Sequence, residues 1–329
     1  MGHRIIACLV TLALGILMVL LTTEAQPQEN MPRIGWLGNT APSGPSRNRD
    51  AFQDGLREMG VLVGQHVLIE SRYAARPNEG FALLVAELLH LPVAVLVTTV
   101  LAATTAAREA TSTTPIVFTG GPDPVAFGFV ASLARPGGNV TGIAALPPNL
   151  SEQKLTMLKA VVPGLTRVAW LVNPSQPGLE RGRAGWATFA PQMGVQIQEW
   201  AVREPEELAS VFAAMAREGV EALFVMADGL FFRHCPQIAA LAATHRLPAV
   251  YGSRACVEAG GLMSYAADEP ALYRRAGVMV GKILQGAQSA TLPVEQAMKF
   301  EFVVNLKAAK ALGVTMPPSL LVFADEVIQ

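Results

Sequence analysis

Residues 79–97, EGFALLVAELLHLPVAVLV, place a helical pattern directly before a strand pattern. Between Phe81 and Leu89 most apolar residues recur at spacings of three and four, which lines them up along one side of a helix. Pro92 then ends the helical pattern, and residues 93–97 form the short, unbroken apolar run expected of a strand buried on both faces. A helix followed at once by such a strand is the repeating unit of a parallel sheet covered by helices.

The same alternation extends in both directions along the chain. Residues 34–37 and 67–71 are predicted strands on either side of a helix at 48–60, and the pattern begins again after the Leu-Pro-Pro at residues 146–148. The further predicted strands are 116–118, 140–143, 168–172, 195–200, 222–226, 249–251 and 300–305, and the further predicted helices are 152–161, 205–218, 236–245, 270–284 and 306–312. We therefore predict an α/β protein of two doubly wound parallel-sheet lobes joined by hinge strands.

The predicted lobes are not continuous in sequence. Residues after 268 are too few for a third domain, so we expect them to cross back to the first lobe and finish on the second. The N-terminal lobe is then 32–144 plus 268–297, and the C-terminal lobe is 145–267 plus 298–329.

The first 25 residues have the composition of a secretory signal peptide. Arg4 precedes an apolar run at residues 5–21, and small residues lie at the −3 and −1 positions of a cleavage site before Gln26. The alternative is an uncleaved membrane anchor, since the run is long for a signal core and short for a bilayer span. We expect export to the periplasm and a mature chain that begins near Gln26.

Export changes the interpretation of the cysteines. Cys8 would leave with the signal, and Cys235 and Cys256 would remain in an oxidising compartment. Both follow neighbouring predicted strands at the same end of a sheet, so we expect their Cα atoms to be close enough for a disulfide. The alternative is two unpaired thiols.

Composition and motifs exclude several functions. The chain has 329 residues, of which 51% are hydrophobic, and its net charge is −1, without the dense basic surface that nucleic acid binding requires. The sequence lacks the glycine-rich nucleotide motifs, the zinc-protease motif and the hydrolase nucleophile motif. No cofactor, metal site or catalytic residue is therefore expected.

Small polar residues follow the predicted strands, where open α/β sheets bind their ligands. Their hydroxyl and backbone N–H groups suit a carboxylate, and their aspartates suit an amine. The candidate ligand-binding residues are Asn39, Thr40, Thr98, Thr99, Thr119, Gly121, Asp123, Asn173, Asp228 and Tyr251. Each has a structural alternative as a strand end, a turn or a helix cap.

Two of these candidates are acidic, one in each lobe. We expect Asp123 and Asp228 to face each other across a cleft between the lobes. Two carboxylates in one closed cleft repel each other, so one of them should bond to local backbone N–H groups. Because Asp123 precedes Pro124 in a turn rich in such groups, Asp228 is the expected ligand residue.

Several sequence blocks follow one another in order between about Arg33 and Glu326. They are AFQDGLREMG (51–60), PIVF (115–118), DP (123–124), SLARPGGNVTG (132–142), LPAVY (247–251), EAGGLMSY (258–265), PPSLL (317–321) and ADE (324–326). Together these blocks resemble one known family, the ABC transporter substrate-binding proteins of the periplasmic type I fold. That group includes receptors for tryptophan and other aromatic amino acids.

The resemblance implies a clamshell that closes on a ligand between its lobes, with a pocket at Asn39, Thr98, Thr99, Gly121, Asp123, Asp228 and Tyr251. The chain departs from the family pattern at residues 98–101, where many relatives carry a small Ala-Gly-Thr-Pro-like loop, and at residues 234–236, where they carry an arginine-rich turn. The identity of the ligand therefore cannot be transferred from any one member.

The function implied is the solute-binding component of an ABC importer that captures a small, amino-acid-like molecule. Its expected partners are that small-molecule ligand and an ABC permease in the inner membrane, and the protein itself is expected to be a monomer. Alternatives are a partner that presents its ligand to a membrane sensor, and an exported enzyme. A sugar-repressor-type regulator would begin with a helix-turn-helix, where this chain has its signal-like segment.

Overall fold

The computed structural model describes residues 31–39, 46–75, 80–121, 123–145, 149–176 and 178–329. The signal peptide predicted at residues 1–25 and the candidate Thr40 lie outside these ranges. The strands are β1 (Arg33–Gly38), β2 (Leu68–Tyr73), β3 (Val93–Thr98), β4 (Ile116–Thr119), β5 (Val140–Ala144), β6 (Arg167–Val172), β7 (Gln196–Ala201), β8 (Ala222–Val225), β9 (Ala249–Tyr251), β10 (Met263–Ala267), β11 (Glu295–Gln296), β12 (Phe300–Asn305) and β13 (Glu326–Ile328). The α-helices are α1 (Arg47–Glu58), α2 (Phe81–Leu89), α3 (Leu101–Ala110), α4 (Leu150–Val161), α5 (Leu179–Phe189), α6 (Leu208–Arg217), α7 (Gly229–Arg233), α8 (Cys235–Thr244), α9 (Arg254–Glu258), α10 (Glu269–Leu284), α11 (Leu306–Leu312) and α12 (Pro318–Val322).

The strands form two sheets, one in each lobe. The first has the order β11-β5-β4-β3-β1-β2, and all of its strand pairs are parallel. Its two faces carry separate apolar cores, one beneath α1 and α10 and the other beneath α2 and α3. Helices thus cover both faces, which confirms the predicted α/β class of doubly wound lobes.

The second sheet has the order β13-β12-β10-β9-β8-β6-β7. Its strands are parallel from β7 to β10, but β12 runs antiparallel to β10. Between these two strands the chain leaves for the first lobe, forms α10 and β11 there, and returns. The chain re-enters the second sheet at the hinge, so β12 and β13 begin there and run parallel to each other. The other strands of this sheet begin at its far end and run in the opposite direction. The predicted parallel-sheet lobe is therefore confirmed from β7 to β10, and its antiparallel edge was not predicted.

Helices α1 and α10 pack together without side chains between their backbones. A Cβ atom on Gly55 would overlap the carbonyl oxygen of Arg274, and one on Gly277 would overlap that of Phe52. Only glycine permits so close an approach of two helix backbones. The first turns of both helices are thereby held side by side at one end of the first lobe.

A disulfide joins Cys235 at the start of α8 to Cys256 in α9. The two Cα atoms are 4.7 Å apart, and both side chains are buried in the second lobe. The predicted proximity of these two cysteines is therefore confirmed.

Candidate ligand-binding site

The two lobes contact each other through the segments that follow the carboxyl ends of their strands. Arg233, at the end of α7 in the second lobe, donates to the backbone carbonyls of Asn39 and Ala75 in the first, the latter at 3.1 Å. The Asn39 side chain lies so near Gly229 that a Cβ atom there would overlap its amide. The predicted loop at Asn39 thus meets the predicted loop around Asp228 across the cleft.

Two further contacts join the lobes at the edges of this cleft. Arg181 of the second lobe lies 4.9 Å from the centre of the Phe127 ring and donates to the carbonyl oxygen of Ala126. Arg47 in α1 lies 3.7 Å from Glu258 in α9. With contacts at three separate places, the structure holds the lobes in a closed arrangement.

The second-lobe side of the cleft contains a buried pair of polar residues, Asn173 and Asp228. One carboxylate oxygen of Asp228 accepts a hydrogen bond from the backbone N–H of Leu230 at 2.8 Å and caps helix α7. The same oxygen accepts from the Asn173 amide at 3.1 Å. These contacts bring together the predicted candidates that follow β6 and β8.

We expected Asp123 to bond to local backbone N–H groups and Asp228 to be free of such bonds, and this contrast is wrong in one respect. Asp123 is exposed and accepts from the backbone N–H groups of Val125 and Ala126, as expected of a local cap. Asp228, however, also caps a helix, so local bonding does not distinguish the two residues. A role for Asp228 in binding the ligand stays a prediction, as does the facing of the two carboxylates.

We expect Asp228→Ala to lower the free energy of unfolding by about 1–3 kcal/mol, because it removes the cap of α7 and leaves the buried Asn173 amide without that acceptor. Asp228→Asn retains an acceptor oxygen and should cost less. Asp123→Ala serves as the control, since it removes an exposed cap. Urea denaturation measures all three, and equal effects at the two positions would contradict the structural role of Asp228.

The first-lobe side of the cleft contains an aromatic and hydroxyl cluster around Tyr273 of α10. The Tyr273 ring stacks on Trp36 with centroids 5.7 Å apart. Burial raises the pKa of the Tyr273 phenol, the Glu269 carboxylate raises it further, and hydrogen bonds with the side chains of Thr119 and Thr99 oppose the rise. The predicted candidates Thr99 and Thr119 therefore lie at Tyr273, which sequence analysis did not single out.

Glu269 is a second residue that sequence analysis missed. It begins α10, one turn before Tyr273, and its carboxylate accepts from the side-chain amide of Asn48 in α1 at 2.7 Å. Burial raises the pKa of the carboxyl, while the Asn48 bond opposes this. In the sequence, Asp268-Glu269-Pro270 is an ordinary helix start, and only the packing of α1 against α10 brings Glu269 to Asn48.

Three further candidate residues have contacts or a backbone conformation that serve the fold itself. The Thr98 hydroxyl lies 2.8 Å from that of buried Thr104, inside the first lobe. Gly121 has a φ of +95°, a left-handed conformation that glycine adopts without strain. Tyr251 is fully buried in the second-lobe core, in the apolar cluster that also contains Cys235. Its ring has no exposed surface, so the position of Tyr251 does not support the expected ligand contact.

Comparison with known proteins identifies relatives over most of the chain. A model of the ABC transporter substrate binding protein family matches residues 42–328. A tyrosine-binding protein of Clostridioides difficile strain R20291 is 26% identical over 208 residues, which is 63% of this chain and 59% of that protein. This match therefore spans about three fifths of that relative's length.

Solved structures extend the likeness across both lobes. An ABC domain from Streptococcus pneumonia in complex with L-Trp has a TM-score of 0.82 at 27% identity, covering 91% of this chain and 100% of that one. A ligand-free, open substrate binding protein with adhesive properties from Clostridium difficile has a TM-score of 0.65 at 22% identity, with the same coverage. The Lac repressor bound to ONPG, at 16% identity and a TM-score of 0.55 over 87% of this chain and 86% of that one, shares the fold alone.

Proposed function

Because this chain belongs to the family of ABC transporter substrate-binding proteins, we propose that it is the extracytoplasmic solute-binding component of an ABC importer. It captures a small organic molecule between its two lobes and delivers that molecule to a permease in the inner membrane. Members of this family are substrate-binding proteins and not enzymes. The observation that carries the proposal is the family match across both lobes, which contact each other through the polar segments that follow their strands.

The ligand that we propose is amino-acid-like. One relative is named for tyrosine and another was solved with L-Trp. In this chain the partly exposed ring of Tyr273, which stacks on the buried Trp36, adjoins the hydroxyls of Thr99 and Thr119. Such a combination of an apolar aromatic surface with a few hydrogen-bonding groups is typical of small-molecule sites.

The proposed location is the periplasm, reached through the signal peptide at residues 1–25, and the protein acts there as a monomer. Within the ranges that the structure describes, no helix has both the length and the apolar character needed to cross a bilayer. The family supports an ABC permease as the membrane partner.

Thermal-shift screening of the chain from Gln26 onward tests the proposal. We expect at least one amino acid among a panel of amino acids, nucleosides and short peptides to raise the melting temperature. A ligand that binds only the folded form stabilises it by about 2.7 kcal/mol at a hundred times its Kd. Metal ions and nucleotides are screened beside this panel, and stabilisation by these alone would contradict the proposed function.

A further inference from the structure

Glu269 is a half-buried carboxyl group that has no cationic partner among the residues that the structure describes. Its one hydrogen bond within the described residues comes from the neutral amide of Asn48. The neighbouring Arg49 lies over the Trp36 ring and donates to the Ser71 hydroxyl, and the other two cationic side chains nearby are bound by other carboxylates. Lys299 pairs with Asp268 at 2.8 Å, and Arg254 pairs with Glu301 at 2.6 Å.

Folding alone does not account for a carboxylate at this position. Burying an ionised carboxyl is costly unless it is paired, and one amide donor offsets only part of that cost. The neighbouring carboxylates Asp268 and Glu301 add repulsion, and together with burial they raise the pKa of Glu269. A glutamine would accept the Asn48 hydrogen bond without these costs. The charge at Glu269 therefore opposes stability, as binding residues often do.

Glu269 also lies at the end of the first lobe where a ligand is expected. Tyr273 follows it by one helical turn and contacts Thr99, which comes directly after β3, and Thr119, which ends β4. Open α/β sheets bind their ligands at these strand ends. A carboxylate placed here can accept hydrogen bonds from a cationic group of the ligand.

We propose that Glu269 binds the ammonium group, or another cationic nitrogen, of the solute, and so restricts the ligand class to amine-bearing molecules. This inference rests on the proposed function, because it assigns part of the same cleft. Asn48 positions the carboxylate through its amide, and the close packing of α1 on α10 holds the two residues together. Charged hydrogen bonds to carboxylates are about twice as strong as neutral ones, so the ammonium group should contribute strongly to affinity.

Calorimetric titration with matched probes tests the inference. One pair is L-tryptophan and indole-3-propionate, which lacks the ammonium group, and the other is L-tyrosine and 3-(4-hydroxyphenyl)propionate. For any other amine-bearing molecule that the panel selects, its N-acetyl derivative is the neutral member. The wild type should bind the ammonium-bearing member of at least one pair tenfold or more tightly than the neutral member.

Glu269→Gln should lose that preference. Its affinity for the ammonium probe should fall at least tenfold, while its affinity for the neutral probe stays within about twofold of the wild type. Glu152→Gln is the matched control, since Glu152 is an exposed carboxylate in the first turn of α4, and it should bind as the wild type does. Undiminished binding of the ammonium probe by Glu269→Gln would overturn the inference.

Stability provides a readout that separates binding from structure. The ionisable groups around Glu269 are Asp268, Glu301 and Tyr273. The pKa of Glu269 is raised in the folded protein, so the wild type loses stability as the pH rises above 4.5, the ordinary pKa of a glutamate. Glu269→Gln should therefore melt no lower than the wild type at pH 7, and the difference between them should shrink below pH 4.5. A lower melting temperature with equal losses for both probes would make Glu269 structural and overturn the inference.

The two proposals fail in different ways. If only amine-free solutes bind the wild type, the assignment of Glu269 falls and the solute-binding function stands. If no solute in the panel binds, both fall.

Discussion

Gly229→Leu is expected to weaken ligand binding at least a hundredfold, equivalent to about 2.8 kcal/mol of binding free energy. Gly229 begins α7, and in the closed arrangement a side chain there would overlap Asn39 of the opposite lobe. The clash exists only while the lobes are together, so the substitution should hold them apart. A ligand that needs both lobes then loses its contacts with one of them.

Gly185→Leu is the matched control for this substitution. Gly185 lies in α5 of the same lobe, and the nearest atom to a Cβ there would be a ring carbon of Phe189 at an ordinary 3.8 Å. Both variants should unfold within about 1 kcal/mol of the wild type, as expected where no packed core is disturbed. Titration with the ligand selected by the thermal-shift panel measures the effect. Wild-type affinity in Gly229→Leu would show that binding does not require the closed lobes.

Removing the disulfide with the double substitution Cys235→Ala and Cys256→Ala is expected to lower the free energy of unfolding by about 3 kcal/mol. The bond joins residues 21 apart in sequence, and a cross-link over a loop of that size restricts the unfolded chain by roughly this amount. Guanidinium denaturation of the oxidised protein, the reduced protein and the double variant measures the difference. Reduced wild type and the double variant should agree within about 1 kcal/mol.

The same experiment bears on the cleft. Helix α7, which carries Gly229 and Arg233, is separated by the single residue His234 from Cys235, the first residue of α8. The disulfide therefore anchors the segment that reaches across to the first lobe, and ligand affinity should fall in the double variant as well. A double variant as stable as the oxidised wild type would contradict the structural role of the bond.

The longer elements could be predicted because their patterns are local. Apolar runs such as residues 93–97 and 168–172 can be buried on both faces only as strands of a covered sheet. Helix α3 was not predicted, because its residues Leu101–Ala110 have no large apolar stripe. It packs through Ala103 and Ala107, small side chains that fit against a neighbouring helix but give little periodic signal.

The site was less predictable than the fold. The sequence located the strand-end loops correctly, and Asn39, Thr99, Thr119 and Asp228 lie where these loops meet partners from other elements. Their individual surroundings could not be derived, because an aspartate that caps a helix and one that binds a ligand have the same local sequence. Tyr251 was chosen as a strand-end aromatic, yet the face of β9 on which it lies directs it into the core.

From the sequence alone followed the α/β class, most of the strands with the loops at their ends, and the proximity of Cys235 to Cys256, since each depends on periodicity or on neighbouring elements. The strands β10, β11 and β13 were not predicted. Only the tertiary structure decided which loops face each other and which side chains meet Glu269. Asn48 and Glu269 are 221 residues apart, and they meet because the chain returns to the first lobe to place α10 against α1. Contacts over such separations depend on the path of the chain between lobes, which no local pattern encodes.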